Sequence, residues 1–169
     1  MKKIFIFFLI TMVKIWAIEL DFNTYSSNFT QLVKSKNSTL RYSGYFIISK
    51  DKAFWEYTTP NKKEIYIDKN RVVIIEHDLE QVIFSKLENI PNLKQIFKNA
   101  KPISENKLLA KYEKVNYTII LDQDKIQSIS YKDEFENDVT ITLSNQIKNP
   151  KINPKIFEFK IPKNYDIVQ

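Results

Sequence analysis

Residues 44–87 carry a succession of short runs rich in β-branched and aromatic residues, each ended by a polar turn. Tyr45-Phe46-Ile47-Ile48, Phe54-Trp55-Glu56-Tyr57, Ile65-Tyr66-Ile67, Val72-Val73-Ile74-Ile75 and Gln81-Val82-Ile83-Phe84 follow one another at intervals of about ten residues, the pattern of consecutive antiparallel strands in a meander. From Thr39 the period is two, with Leu40, Tyr42, Phe46 and Ile48 facing one way and Arg41, Ser43, Tyr45 and Ile47 the other. Gly44 interrupts the first set. It is the only glycine in the chain, and a lone glycine inside a strand marks a bulge or a close approach by another backbone.

A second group of strands is predicted over 108–113, 117–121, 126–132 and 139–147, with another at 157–161, where Phe157, Phe159 and Ile161 alternate with Glu158 and Lys160. Val139, Ile141 and Leu143 against Thr140, Thr142 and Ser144 read as a half-buried strand. Between the groups, Ile90, Leu93, Ile96 and Phe97 predict a short helix over 89–99, with Pro91 in its first turn and a loop over 101–104. Ahead of both groups, Phe22, Tyr25, Phe29, Leu32 and Val33 recur at spacings that predict an amphipathic helix over 22–36. The expectation is a mainly β (α+β) domain of ten or eleven strands. A sheet of that size curls, and helices on its inner face would cover its apolar side.

Composition removes most chemistry. There is no cysteine, which excludes disulfides, thiol catalysis, cysteine-ligated metal and an acylated N-terminal cysteine. His77, the only histidine, stands in Glu76-His77-Asp78 and reads as a turn residue, since one histidine cannot build a three-histidine site. Asp133, Glu134, Glu136 and Asp138 crowd one hairpin loop and read as a solvated tip, without the glycine that a calcium loop needs at its bend. No phosphate loop or nucleophile elbow is present, so neither an enzyme nor a cofactor is expected. The net charge is +6, but three lysines fall in the first seventeen residues; the rest of the chain is only weakly basic, with Arg41 and Arg71 its sole arginines. Nucleic acid is not an expected partner.

Met1-Lys2-Lys3, the apolar run over residues 4–13 and Ala17 have the form of a secretory signal peptide. The run is too short to span a bilayer comfortably. Cleavage after about Ala17 would leave a single domain over 18–169 in an exported compartment, although Lys14 and Ile15 are unusual so near a cleavage site.

Several local words also coincide. They are Phe29-Thr30-Gln31, Gly44 at its strand, Phe54-Trp55-Glu56-Tyr57-Thr58-Thr59-Pro60, Leu79-Glu80-Gln81-Val82, and the terminal Phe157-Glu158-Phe159-Lys160-Ile161-Pro162-Lys163-Asn164-Tyr165-Asp166-Ile167-Val168. In order and spacing they resemble the LolA family of periplasmic outer-membrane lipoprotein carriers over essentially all of 18–169. The resemblance implies an unclosed antiparallel barrel with helices forming a lid over an apolar cavity. It implies a monomer that takes acylated lipoproteins from an inner-membrane ABC transporter of the LolCDE type, crosses the periplasm and unloads to an outer-membrane acceptor. Shielding a dozen methylenes from water would contribute roughly 10 kcal/mol, enough for a soluble complex.

The cavity candidates are Tyr42, Phe46, Ile48, Phe54, Ile65, Ile67, Val73, Ile75 and Phe84, with Leu93, Ile96 and Phe97 as lid. Alternation alone does not choose between the two faces, because several strands are apolar on both. Two positions depart from the family pattern. Lys50-Asp51 stands where many members have Arg-Pro, an arginine implied in lid control; lysine keeps the charge without the planar fork. Lys69-Asn70 replaces an Asp-Gly turn, where asparagine tolerates positive φ. A lipid-binding envelope sensor or regulator of related fold is the alternative function.

Overall fold

The computed structural model describes residues 22–49, 51–69, 71–86, 92–123 and 125–168. In chain order the elements are β1 (Thr24–Lys34), β2 (Thr39–Ser49), β3 (Lys52–Thr59), β4 (Lys63–Asp68), β5 (Arg71–Glu76), β6 (Gln81–Lys86), α1 (Leu93–Lys98), β7 (Lys101–Ser104), β8 (Lys107–Tyr112), β9 (Val115–Asp122), β10 (Lys125–Lys132), β11 (Asp138–Lys148) and β12 (Asp166–Val168). Short 3-10 turns occupy His77–Leu79 and Pro154–Phe157. All the described strands belong to one sheet, in the order β12-β6-β5-β4-β3-β2-β1-β11-β10-β9-β8-β7. Its edges, β7 and β12, do not pair, so the barrel stays open. The pairings are antiparallel except that of β12 with β6.

The predicted helix over 22–36 is instead strand β1, which joins the two strand groups by pairing with β2 on one side and β11 on the other. Apolar residues at helical spacing misled the reading because two inward positions are polar. Tyr25, Ser27, Phe29, Gln31 and Val33 share one face, and Ser27 and Gln31 hide the period of two. Each is accommodated by a hydrogen bond: Ser27 Oγ donates to the Ser144 carbonyl at 2.8 Å, and Gln31 Oε1 accepts from the Tyr57 hydroxyl at 3.0 Å. A helix here would have left the facing edges of β2 and β11 without backbone partners.

Two smaller differences follow from proline. Residues 101–104 form edge strand β7 rather than a loop; an edge tolerates Pro102 because a missing N–H can face outward. Residues 157–161 do not form a strand. Pro154 opens a 3-10 turn capped by Asn153, whose side chain accepts from Lys155 N at 3.1 Å. The chain then crosses the back of the sheet, where Phe159 packs on Tyr66 and Phe84 with both ring centroids 6.0 Å away.

The glycine expectation holds. The β2–β3 register shifts between Ser43 and Gly44, and the β3 backbone passes close over Gly44. Between β4 and β5, Lys69 takes a left-handed φ of 55° and donates its N–H to Asp51 O at 2.9 Å, while Asn70, expected to tolerate positive φ, lies outside the described residues. Helix α1 begins at Asn92, whose side chain accepts from Gln95 N, and Asn99 beyond its end donates to Lys111 O on β8.

Candidate functional site: the inner face of the sheet

Register determines what the inner face is made of. One cross-strand row runs Phe46–Trp55–Ile65–Ile74 and a second runs Ile48–Ala53–Ile67–Val72. A third starts at Gln31 and crosses the other half of the sheet through Ile141, Ile129, Ile119 and Leu108. These rows join into a single hydrophobic cluster that draws on both halves, so the sheet is curled around it.

Aromatic rings fill its centre. Phe46 stacks on Trp55 with centroids 4.5 Å apart, and Phe29 meets Trp55 edge-on at 5.2 Å. Helix α1 lies in the trough with Leu93, Ile96 and Phe97 all buried. Phe97 packs edge-on against Phe22 at 6.0 Å and Tyr25 at 6.4 Å. Offset and edge-on aromatic contacts of this kind are attractive beyond the area they bury.

The nine cavity candidates therefore divide. Tyr42, Phe46, Ile48, Ile65 and Ile67 face inward: the last four lie in the inner cluster, and Tyr42 opposes Gln31 and meets Tyr57 at 6.0 Å. Phe54, Val73, Ile75 and Phe84 correct the list, because they lie on the opposite face. Phe54 opposes Tyr66, Tyr66 opposes Val73 and Val73 opposes Phe84, a row one residue out of phase with the inner one. Val73, Ile75 and Val82 form a second cluster with Tyr66, Phe84, Phe159 and Tyr165, beneath the C-terminal segment. Strands buried on both sides show no hydropathy contrast, so composition could not separate the faces. Lys50 and residues 1–17, the expected signal peptide, lie outside the described residues.

Sequence reasoning missed Tyr25, Phe29, Trp55, Tyr57 and the inward residues of β8–β11. The first two were hidden by the helical reading of their segment. For β11 the signal is the alternation of Val139, Ile141 and Leu143 with Thr140, Thr142 and Ser144.

The outer face carries a pocket of about 340 Å³ between the sheet and the C-terminal segment, lined by Lys52, Tyr66, Asp68, Arg71, Val73, Phe157, Glu158 and Phe159. It is charged at its mouth, where Asp68 pairs with Lys52 at 3.6 Å and with Arg71 at 3.8 Å. His77 is a tether on this face. Its Nδ1 is 2.9 Å from the Tyr165 hydroxyl and its Nε2 is 3.3 Å from Glu64 Oε1. Among the described residues no group of three or more His, Asp or Glu side chains could hold a metal ion. Asp133 organises its hairpin loop. Desolvation alone would raise its carboxyl pKa, but hydrogen bonds from Asn137 and from the backbone of Asn137 and Phe135 outweigh that and lower it.

This fold, an open sheet curled around an apolar trough, is shared with a solved LolA superfamily protein. A LolA superfamily protein from Nitrosomonas europaea superposes with a TM-score of 0.54 at 10% identity, covering 84% of this chain and 93% of that one. A family model described as outer membrane lipoprotein carrier protein LolA matches residues 21–98. An outer-membrane lipoprotein carrier protein of Campylobacter jejuni is 68% identical over 169 residues, all of both chains. A protein of the same description from Helicobacter pylori is 35% identical over 148 residues, 86% of this chain and 80% of that one. The chain belongs to the LolA family of outer-membrane lipoprotein carrier proteins.

Proposed function

We propose that this protein carries lipoproteins to the outer membrane by sheltering their acyl chains against the inner face of the sheet. The observation that carries the reading is the continuous apolar inner face, built from both halves of an unclosed sheet and occupied by α1 through Leu93, Ile96 and Phe97. A helix seated by side-chain packing can be displaced by acyl chains that make equivalent contacts. Exchange of one apolar occupant for another has little net cost, whereas emptying the trough into water would cost roughly 0.8 kcal/mol per methylene. Loading and unloading then depend on the relative affinities of donor, carrier and acceptor.

The finer assignments belong to the same proposal. Residues 1–17 are a signal peptide removed after about Ala17, and residues 18–169 act as one carrier domain in the periplasm. The inward candidates Tyr42, Phe46, Ile48, Ile65 and Ile67 line the cavity, with Leu93, Ile96 and Phe97 as its lid, and Lys50 takes the place of the family arginine in lid control. A LolCDE-type transporter loads the protein, an outer-membrane acceptor unloads it, and no covalent chemistry occurs on the carrier itself.

The test is to add purified mature protein to spheroplasts and measure newly made lipoproteins in the soluble fraction. Stoichiometric release in complex with the protein is expected. No release, where a known carrier succeeds, would count against the proposal. N-terminal sequencing of exported protein tests cleavage, and a Met1 terminus would refute it.

A further inference from the structure

The inner face is not uniform from end to end. The turns β1–β2, β3–β4, β8–β9 and β10–β11 lie at one end of the sheet because successive strands are antiparallel. Toward that end five inward tyrosines gather, Tyr42 on β2, Tyr57 on β3, Tyr112 on β8, Tyr117 on β9 and Tyr131 on β10, with Gln31 among them on β1 and the aliphatic Val33, Val115 and Val139 between them. Tyr42 and Tyr57 meet edge-on at 6.0 Å, and Tyr117 and Tyr131 lie 5.0 Å apart. The rings continue the apolar surface. Tyr57, Tyr112 and Tyr131 are only partly buried against the inner cluster, whereas Phe22 and Tyr25, at the other end of β1, are buried and pack on Phe97.

Tyr57 donates to Gln31, but the hydroxyls of Tyr42, Tyr117 and Tyr131 have no hydrogen-bond partner among the described residues. Tyr42 and Tyr131 are only part-buried, whereas Tyr117 is buried among the rings. Burial first, then the nearby Tyr57 and Tyr117 phenols and the Asp133 carboxylate, raise the pKa of Tyr131; burial, with Glu113 and Tyr112 beside it, pushes Tyr117 up to about 12. Both are therefore protonated donors at neutral pH.

We propose that this tyrosine rim, with the part-buried Tyr42 and Tyr131 as its donors, binds the ester carbonyls at the head of the acylated cysteine while the chains lie along the apolar rows. A ring body on an apolar wall with a wet hydroxyl suits the boundary between hydrocarbon and polar head. Ester carbonyls accept hydrogen bonds and cannot donate, so they match donors that have no partner among the described residues. The inference rests on the carrier reading and adds to it the direction in which cargo lies: head at the β10–β11 end, chains toward Phe46 and Trp55.

The experiment measures binding of the mature protein to a synthetic triacylated cysteine lipopeptide and to an analogue of equal chain length in which ethers replace both esters. Tyr42→Phe and Tyr131→Phe remove only the hydroxyls and keep the rings. Wild type should prefer the ester lipopeptide, and each variant should bind it about fivefold more weakly with little change toward the ether. Equal binding of ester and ether by wild type, unchanged in the variants, would overturn the rim assignment and leave the carrier reading intact. No binding of either ligand would overturn both. Equal competition by an ester-linked diacyl phospholipid would overturn the assignment to a lipoprotein head.

Discussion

A Cβ atom built on Gly44 would lie 1.9 Å from the backbone oxygen of Glu56 and 3.0 Å from the Phe29 ring. The first contact is with backbone, which cannot swing aside. The bulge at Ser43–Gly44 brings β3 this close, and it places Tyr57 opposite Gly44 over the Phe29 ring, 5.0 Å from its centroid. Gly44→Ala should therefore destabilise the protein by more than about 2 kcal/mol, at the upper end of overpacking effects. Urea unfolding measures it; a midpoint within error of wild type would show that the bulge can relax.

Trp55 offers a direct reading of which face holds lipid. The sequence has two tryptophans, Trp16 in the proposed signal peptide and Trp55 stacked on Phe46 in the inner cluster. In protein beginning after Ala17, Trp55 is the sole indole. Acyl chains brominated along their length should quench most of its fluorescence, while bromide ion in solution should quench little. Saturable binding without quenching would place the chains elsewhere.

Besides the pairing of β12 with β6, two hydrogen bonds tie the C-terminal segment to the turn before β6. Tyr165 reaches His77, and Asp166 N donates to Glu80 O at 2.8 Å. Tyr165→Phe removes one hydrogen bond, worth about 1 kcal/mol. Faster amide exchange over 157–168, with protection of β1 and β2 unchanged, is the expected result. A uniform change across the protein would mean that this segment unfolds only with the whole.

Burial is the leading cause that raises the pKa of Tyr25, Tyr57, Tyr66, Tyr117 and Tyr131 above the ordinary value of about 10. The sign follows from proton binding. Below about pH 10 both folded and unfolded chains hold these protons, and the tyrosines add no pH dependence. Above it the unfolded chain ionises first while the folded one resists, so stability falls as pH rises toward the folded values. Urea midpoints should change little from this cause between pH 8 and pH 9 and drop steeply toward pH 11. The part of the phenolate absorbance that comes from these five tyrosines should rise together with unfolding rather than before it.

Much of the sheet was legible because its strands announce themselves locally. The runs at Phe54, Ile65 and Val72 are β-branched or aromatic and bounded by turns, and Leu93, Ile96 and Phe97 show the helix they form. Segment 22–36 was not legible, because Ser27 and Gln31 occupy inward positions of β1 and leave apolar residues that also fit a helical period. What decided the matter was non-local: two strand edges, on β2 and β11, each needing hydrogen-bond partners along their length.

The sequence by itself determined that this chain is mainly sheet and that disulfides, thiol chemistry and a three-histidine metal site are closed to it, since lacking cysteine and having one histidine is a fact of composition. It also determined the family, through words spread along the chain. Only the tertiary structure decided which apolar residues form the trough. Phe46 and Phe54 are equally apolar, and so are Ile67 and Val73, yet each pair divides between the two faces. A strand turns every other side chain over, and the face that becomes concave is set by how distant strands close around α1.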